Sequence, residues 1–320
     1  MSSPSLLVIA SGSSSGSHLL ARLLCHYPPI CAGPELQILS QPSLVSPDTY
    51  QQTLEQGLRN RSEFSIPFIH PTKNHMKLVN NRLISNRRFY GCEKELDKRR
   101  LMEKTTSFQE FLQRLKENLS QTKGWPQDAI IVDHAPMSSI GLPEASKAIP
   151  DLKCIHIVRD LRDVLASMRQ RRSISRKFEE FTSTEMDDFT AQQWCLLNNS
   201  ANQIENSSNY VRIRYEELVL NPRKTVADAL SAISLDFPFH AQRDTSVKIE
   251  IKKQEGWKNS PNQKVSNKSI NRFRDELSKE EVNHIFTSKF TFEAPYGTLC
   301  PADLQESYGY PTDFEPTAFT

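Results

Sequence analysis

One stretch near the start of the chain decides the fold: LLVIASGSSSGSHLLARLL, residues 6–24. It opens with branched apolar residues, continues with small Gly and Ser residues, and ends with leucines at helical spacing. This order predicts a buried strand, a tight loop and a helix. The N–H groups of such a loop and the positive end of the helix dipole favour an anion. The alternative is an ordinary Ser-rich connection between a strand and a helix.

The loop departs from the phosphate-binding loop of nucleoside triphosphatases. That motif carries Lys directly before its Ser or Thr, whereas here Gly16 is followed at once by Ser17. The sequence therefore disfavours a Mg²⁺-dependent triphosphatase, and an atypical nucleotide kinase is kept only as an alternative.

Composition bounds the class of protein. The 320 residues are 37% hydrophobic and 24% charged, which is typical of a folded chain. The net charge of +2 is too small for bulk nucleic-acid binding, although residues 70–104 are locally basic. The six cysteines show neither CxxC nor metal-ligand spacing, so we expect reduced thiols. Without a signal peptide or a membrane-length apolar segment, a cytoplasmic protein is expected. The sequence does not indicate an oligomeric state.

The remaining chain alternates strands and helices. Apolar runs predict further strands at 30–32, 129–132, 154–158 and 210–215. We therefore predict one α/β domain over residues 1–320, with a P-loop-like parallel sheet of about five strands and helices on both faces. Residues 48–124 are predicted to be an all-helical insertion on the substrate side, with helices at 50–59, 76–86, 93–102 and 108–119.

Three residues follow predicted strands and carry useful chemistry. Arg159 suits a phosphate because its forked donors match an oxygen pair, although it could simply pair with Asp163. His134 ends a central strand, where open α/β sheets bind ligands, but a core or capping histidine fits equally well. Glu35 is a lone acid among apolar residues, either a general base or an acid at a helix start.

Four segments together resemble the sulfotransferases that use 3′-phosphoadenosine-5′-phosphosulfate (PAPS). Residues 14–20 resemble the family's Arg-Ser-Gly-Thr-Thr-Leu-Leu loop. Residues 31–35 resemble the Cys-Gly-Glu-Glu of tyrosylprotein sulfotransferases and the Pro-Pro-Glu-Leu of polyketide-synthase sulfotransferase domains. Residues 158–168 resemble the 3′-phosphate motif, and residues 269–278 the Gly-Arg-Trp-Arg segment. The resemblance covers most of the chain except residues 48–124.

The resemblance implies a site residue by residue. It implies that the loop holds the 5′-phosphosulfate through Ser15, Gly16, Ser17 and His18, next to Ser14. It assigns the 3′-phosphate to Arg159, Ser167, Arg171 and Tyr215. The segment that closes over the donor contains Lys268, Arg272 and Arg274. Glu35 matches the carboxylate that activates the acceptor, and Trp194 matches a helix tryptophan that serves packing.

Two positions depart from the family pattern. Ser14 stands where the family has Arg or Lys, and His134 stands where it has Lys. Sulfuryl transfer needs stabilisation of the charge that builds on the leaving phosphate. His134 and His18 are candidates to supply it. The alternative is a protein that binds PAPS or its product PAP with weak or no catalysis.

The implied reaction moves a sulfuryl group from PAPS to a hydroxyl of a small molecule, lipid, sugar or polyketide. Glu35 takes the hydroxyl proton and His134 stabilises the transferring or leaving oxygens, or the two exchange roles. No metal is expected to be needed. A tyrosylprotein sulfotransferase is not favoured, because the sulfation of protein tyrosines takes place in a secretory compartment.

Overall fold

The computed structural model describes residues 6–33, 35–40, 45–52, 66–72, 75–81, 105–174, 182–241, 265–287 and 290–318. The central strand β1, Leu6–Ser11, is buried along its whole length. It leads into helix α1, Ser17–Leu24, and then into the short strand β2, Ile30–Ala32. The strand, loop and helix predicted from residues 6–24 are confirmed.

The insertion differs from its prediction. Strands β3, Ile66–Thr72, and β4, His75–Asn81, pair as an antiparallel hairpin. The all-helical prediction is therefore wrong, and the helix predicted at 76–86 starts inside β4. Helix α2, Phe108–Lys123, confirms the helix predicted at 108–119. The predicted helix at 93–102 and most of the one at 50–59 lie outside the described residues.

The second half of the chain repeats strand and helix. A 3₁₀ turn at Pro136–Gly141 lies between β5 and α3. The remaining elements, in chain order, are β5 Ile130–Asp133, α3 Leu142–Ala148, β6 Lys153–Val158, α4 Leu161–Ile174, α5 Ser183–Asn202, β7 Tyr210–Arg214, α6 Tyr215–Leu220, α7 Pro222–Ala232, α8 Phe273–Glu276, α9 Lys279–Ile285, β8 Phe292–Ala294, β9 Gly297–Leu299 and α10 Pro301–Ser307. Ser278 and Glu281 form a capping box at the start of α9.

Five strands form the main sheet in the order β2-β5-β1-β6-β7, and all are parallel. Because β1 is central, its side chains alternate between two buried faces. Leu7 and Ile9 belong to the core that includes Leu20 of α1, whereas Val8 belongs to the core that includes Phe111 of α2. The predicted α/β class, with helices on both faces, is confirmed.

The described cysteines carry free thiols. Four of them are buried, and the fifth is partly exposed: Cys25, Cys31, Cys154, Cys195 and Cys300. The expectation of reduced thiols is met for these residues, and Cys92 lies outside the described part.

Candidate active site

The parallel sheet brings the predicted site residues to one edge. The carboxyl end of β1 runs into loop 12–16, and β2 is followed by Glu35 two residues beyond Gly33. His134, Arg159 and Tyr215 come directly after β5, β6 and β7. Open α/β sheets bind their ligands at this edge.

Loop 12–16 is held in a strained, compact path. Ser14 and Gly16 both have left-handed backbone, with φ of 61° and 93°. Ser13 Oγ donates to Gln193 Oε1 at 2.6 Å, and Ser14 Oγ donates to Met168 Sδ at 3.3 Å. In contrast, the buried Ser15 Oγ has no hydrogen-bond partner in the described part of the chain. The loop thus presents a buried hydroxyl and the first N–H groups of α1.

Gly16 is required by both its backbone and its neighbour. A Cβ at this position would overlap the Tyr215 ring, lying 2.7 Å from Cε2. We expect Gly16→Ala to lower the free energy of unfolding by about 2–4 kcal/mol, because left-handed strain adds to overpacking. Urea unfolding measures this loss. The matched control is Gly124→Ala, since Gly124 is also left-handed but a Cβ there meets nothing within 4 Å. Equal losses in the two variants would contradict the packing argument.

Arg159 joins the loop to the C-terminal segment. Its guanidinium donates to the carbonyl oxygens of Ser14, at 2.8 Å, and Ser269, at 2.7 Å. It also lies over the Tyr215 ring, with Cζ 4.4 Å from the centroid, and Tyr215 Oη is 2.7 Å from Ser269 Oγ. The buried Arg159 Nε has no partner among the described residues. The structure therefore brings Ser14, Arg159 and Tyr215 together around Ser269, which the sequence reasoning did not single out.

Two buried side chains support this arrangement. Trp194 Nε1 donates to the carbonyl oxygen of Arg159 at 3.1 Å, which fits the packing role expected for it. Asp163 accepts from the N–H groups of Asn271, at 2.8 Å, and Phe273, at 3.1 Å. Burial raises the pKa of the Asp163 carboxyl to about 6, although the nearby Arg159 opposes the rise. Asp163 thus fastens the C-terminal segment to α4, and no direct ion pair with Arg159 is found among the described side chains.

The remaining residues were predicted to bind the 3′-phosphate or to belong to the segment that closes over the donor. Ser167 is half-buried on α4, next to the Met168 that contacts the loop. Arg272 forms an ion pair with Glu276 and donates to Gln170 Oε1 at 3.2 Å. Lys268 and Arg274 are exposed on the C-terminal segment. The side chain of Arg171 lies outside what the structure describes.

A second cluster contains His18, Glu35 and His134. His18 Nε2 lies 3.3 Å from Glu35 Oε1, and each side chain is about 15% exposed. The His18 and His134 rings meet edge to face, with centroids 4.7 Å apart. His134 is fully buried, and its Nε2 is 2.9 Å from the carbonyl oxygen of Gly33. Because that oxygen can only accept, Nε2 carries a proton.

Asp133 positions this cluster, and the sequence analysis did not single it out. Its carboxylate accepts from four donors: Gln37 N at 3.2 Å, Ile38 N at 2.9 Å, Ala135 N at 3.2 Å and Ser138 Oγ at 2.7 Å. These bonds tie the segment after Glu35 to the residues flanking His134. The available signal was a buried strand that ends in Asp, a charge that must be satisfied when it is buried.

The family model of the sulfotransferase family matches residues 7–239 of the 320. The chain belongs to the sulfotransferase family. The matched residues include the loop, Glu35, His134, Arg159 and Tyr215, so the family resemblance of the sequence is confirmed. A comparison with curated protein sequences gave no match.

Two solved structures resemble this sulfotransferase over almost its whole length. The sulfotransferase domain of the Synechococcus PCC 7002 olefin synthase is 16% identical, with a TM-score of 0.50, and the match covers 97% of each chain. The sulfotransferase domain from the curacin biosynthetic pathway is 17% identical, with a TM-score of 0.51, covering 96% of this chain and 98% of that one. At such identities the likeness supports the fold alone.

The structure also shows what surrounds the two atypical positions of this sulfotransferase. The carbonyl oxygen of Ser14 accepts from Arg159, so a guanidinium lies against the loop even though the loop carries no cation there. His134 has a second imidazole beside it, that of His18. Two histidines and one carboxylate therefore stand together at the edge of the sheet.

In the part of the chain that the structure describes, no helix combines the length and the apolar character needed to cross a bilayer.

Proposed function

We propose that this sulfotransferase takes PAPS as its donor and transfers the sulfuryl group to a hydroxyl of a small molecule, lipid, sugar or polyketide. One observation carries the proposal. Arg159 donates a hydrogen bond to loop 12–16 at the carbonyl oxygen of Ser14. Arg159 Nε and Ser15 Oγ are both buried donors without a partner among the described residues. Buried donors without partners are costly, so an anionic ligand that accepts from them stabilises the site.

The residues fit the two anionic ends of PAPS. The N–H groups of residues 15–18 and the start of α1 suit the 5′-phosphosulfate. Arg159 has five N–H donors, of which two are used within the protein, so donors remain for the 3′-phosphate. Ser167, Tyr215 and Arg171 are proposed to complete that end. The donor supplies an activated sulfuryl group on a phosphosulfate anhydride.

Glu35 is the proposed base. Its contact with His18, at 3.3 Å, fixes the direction of the carboxylate, and its partial exposure leaves it reachable by an acceptor. The acceptor hydroxyl gives its proton to Glu35 while its oxygen bonds to sulfur. The bond between sulfur and the phosphate oxygen breaks at the same time, and PAP leaves.

His134 is proposed to stabilise the charge on the transferring or leaving oxygens. Its Nε2 is engaged by Gly33, so only Nδ1 is available, and this buried atom has no partner among the described residues. When protonated, Nδ1 donates a charge-assisted hydrogen bond, worth about 1.5–3 kcal/mol. The same free Nδ1 supports the alternative in which His134 is the base and Glu35 orients the acceptor.

The donor assignment is tested by calorimetry with PAP, ATP and AMP, and by transfer of label from ³⁵S-PAPS to a panel of alcohols. We expect PAP to bind in preference to ATP and AMP, and labelled sulfate to appear on at least one acceptor class. PAP binding without transfer to any acceptor would instead support a binding protein, in line with the missing cations at Ser14 and His134. Preferential ATP binding would contradict the proposal.

A further inference from the structure

His18, Glu35 and His134 form a compact group of ligand-type atoms. One ring nitrogen from each histidine and one carboxylate oxygen all lie within 4.8 Å of one another. They come from three different elements: the start of α1, the segment after β2 and the end of β5. Three potential ligands from separate elements at one edge of the sheet are therefore close together without an ion.

His134 is arranged as metal-binding histidines usually are. Such residues donate one ring N–H to a backbone carbonyl or carboxylate, which leaves the other nitrogen as the ligand. Here Nε2 donates to Gly33 O at 2.9 Å, and the buried Nδ1 has no partner in the described part of the chain. In the neutral ring, Nδ1 therefore carries an unshared electron pair that no described residue uses.

The spacing of the other two ligands also fits. Ligands about 2.0–2.1 Å from a tetrahedral zinc ion stand roughly 3.3 Å apart. His18 Nε2 and Glu35 Oε1 are 3.3 Å apart. Metal ligands bind in their deprotonated forms, so a cation that binds to such groups displaces their protons.

We propose that His18, Glu35 and His134 form an inhibitory site for zinc. Two imidazole nitrogens and one carboxylate favour Zn²⁺ over Mg²⁺ or Ca²⁺, which prefer oxygen ligands. Three protein ligands leave a fourth position for water. Zinc bound to one oxygen of Glu35 lowers the basicity of the whole carboxylate, which then accepts a proton from the acceptor less readily. The inhibition rests on the proposed role of Glu35, whereas the metal binding does not.

Binding is tested on the full chain without donor or acceptor, using Co²⁺ as the spectroscopic probe. We expect the intense visible absorption of tetrahedral Co²⁺, displaced by Zn²⁺. His18→Ala, Glu35→Gln and His134→Ala should each weaken Zn²⁺ binding at least about tenfold. The matched control is His284→Ala, which removes an exposed histidine paired with Asp188. If His134→Ala does not fold, the Zn²⁺ affinities of His18→Ala and Glu35→Gln decide whether the site exists.

Two results would overturn the site: a Co²⁺ spectrum of the hydrated ion only, or wild-type Zn²⁺ affinity in both His18→Ala and Glu35→Gln. A second experiment measures the rate of sulfuryl transfer in the presence of Zn²⁺. Zn²⁺ should inhibit it, a chelator should restore it, and His284→Ala should keep the sensitivity. If the chain transfers nothing, the proposed function fails while the spectroscopic arm still judges the metal site.

Discussion

We expect Glu35→Gln to lower the kcat of sulfuryl transfer by about 10²- to 10⁴-fold, the usual contribution of a positioned base. Gln keeps the size of the side chain and its contact with His18, but an amide cannot take the proton of the acceptor. The Kd of PAP should stay unchanged, because the proposed donor contacts are on loop 12–16 and on Arg159. A large loss in kcat with intact PAP binding is therefore the signature of the base.

The measurement combines initial rates with PAP calorimetry on the same preparations. The control is Glu117→Gln, which removes the charge of an exposed glutamate on α2 and should keep wild-type rates. Full activity in Glu35→Gln together with a large loss of activity in His134→Ala would indicate that His134 is the base. Full activity in both variants would remove the whole cluster from the mechanism.

We expect Arg159→Ala to raise the Kd of PAP by about 10- to 150-fold. This range corresponds to the loss of one charge-assisted hydrogen-bonded contact, about 1.5–3 kcal/mol. Arg159→Lys should recover only part of the affinity, because an ammonium keeps the charge but lacks the planar fork that lies over Tyr215. Calorimetry of the three proteins with PAP gives the comparison.

A purely structural role for Arg159 predicts something different. Arg159 also ties Ser14 to Ser269, so its loss could loosen the loop and weaken every nucleotide equally. AMP, which lacks the 3′-phosphate, separates the two cases. We expect Arg159→Ala to lower the ratio of the Kd of AMP to the Kd of PAP. The control, Arg114→Ala on α2, should leave this ratio unchanged. An unchanged ratio in Arg159→Ala would mean that the residue shapes the loop without binding the 3′-phosphate.

The sheet could be predicted because the sequence pattern of each strand is local. Each strand is a short apolar run bounded by turn residues or by a polar residue, and each is followed by a helical pattern. Once the strands are parallel, their carboxyl ends must share an edge, so Arg159 and His134 were placed correctly relative to the loop.

The hairpin of β3 and β4 was not predictable in the same way. The apolar residues of 76–86 fit a helical spacing about as well as a strand. Pairing with residues 66–72 supplies the backbone partners that make the strand the observed state. Long-range pairing of this kind overrides weak local preference.

By itself, the sequence determined the α/β class, the Gly- and Ser-rich loop between β1 and α1, and the set of residues at the edge of the sheet. Tertiary structure alone decided how these residues are paired. His18 approaches Glu35, His134 Nε2 donates to Gly33, and Asp133 accepts from the N–H groups of Gln37 and Ile38, and each of these contacts joins positions far apart in the chain. Such contacts depend on side-chain directions and on the desolvation of neighbours, and residue order records neither.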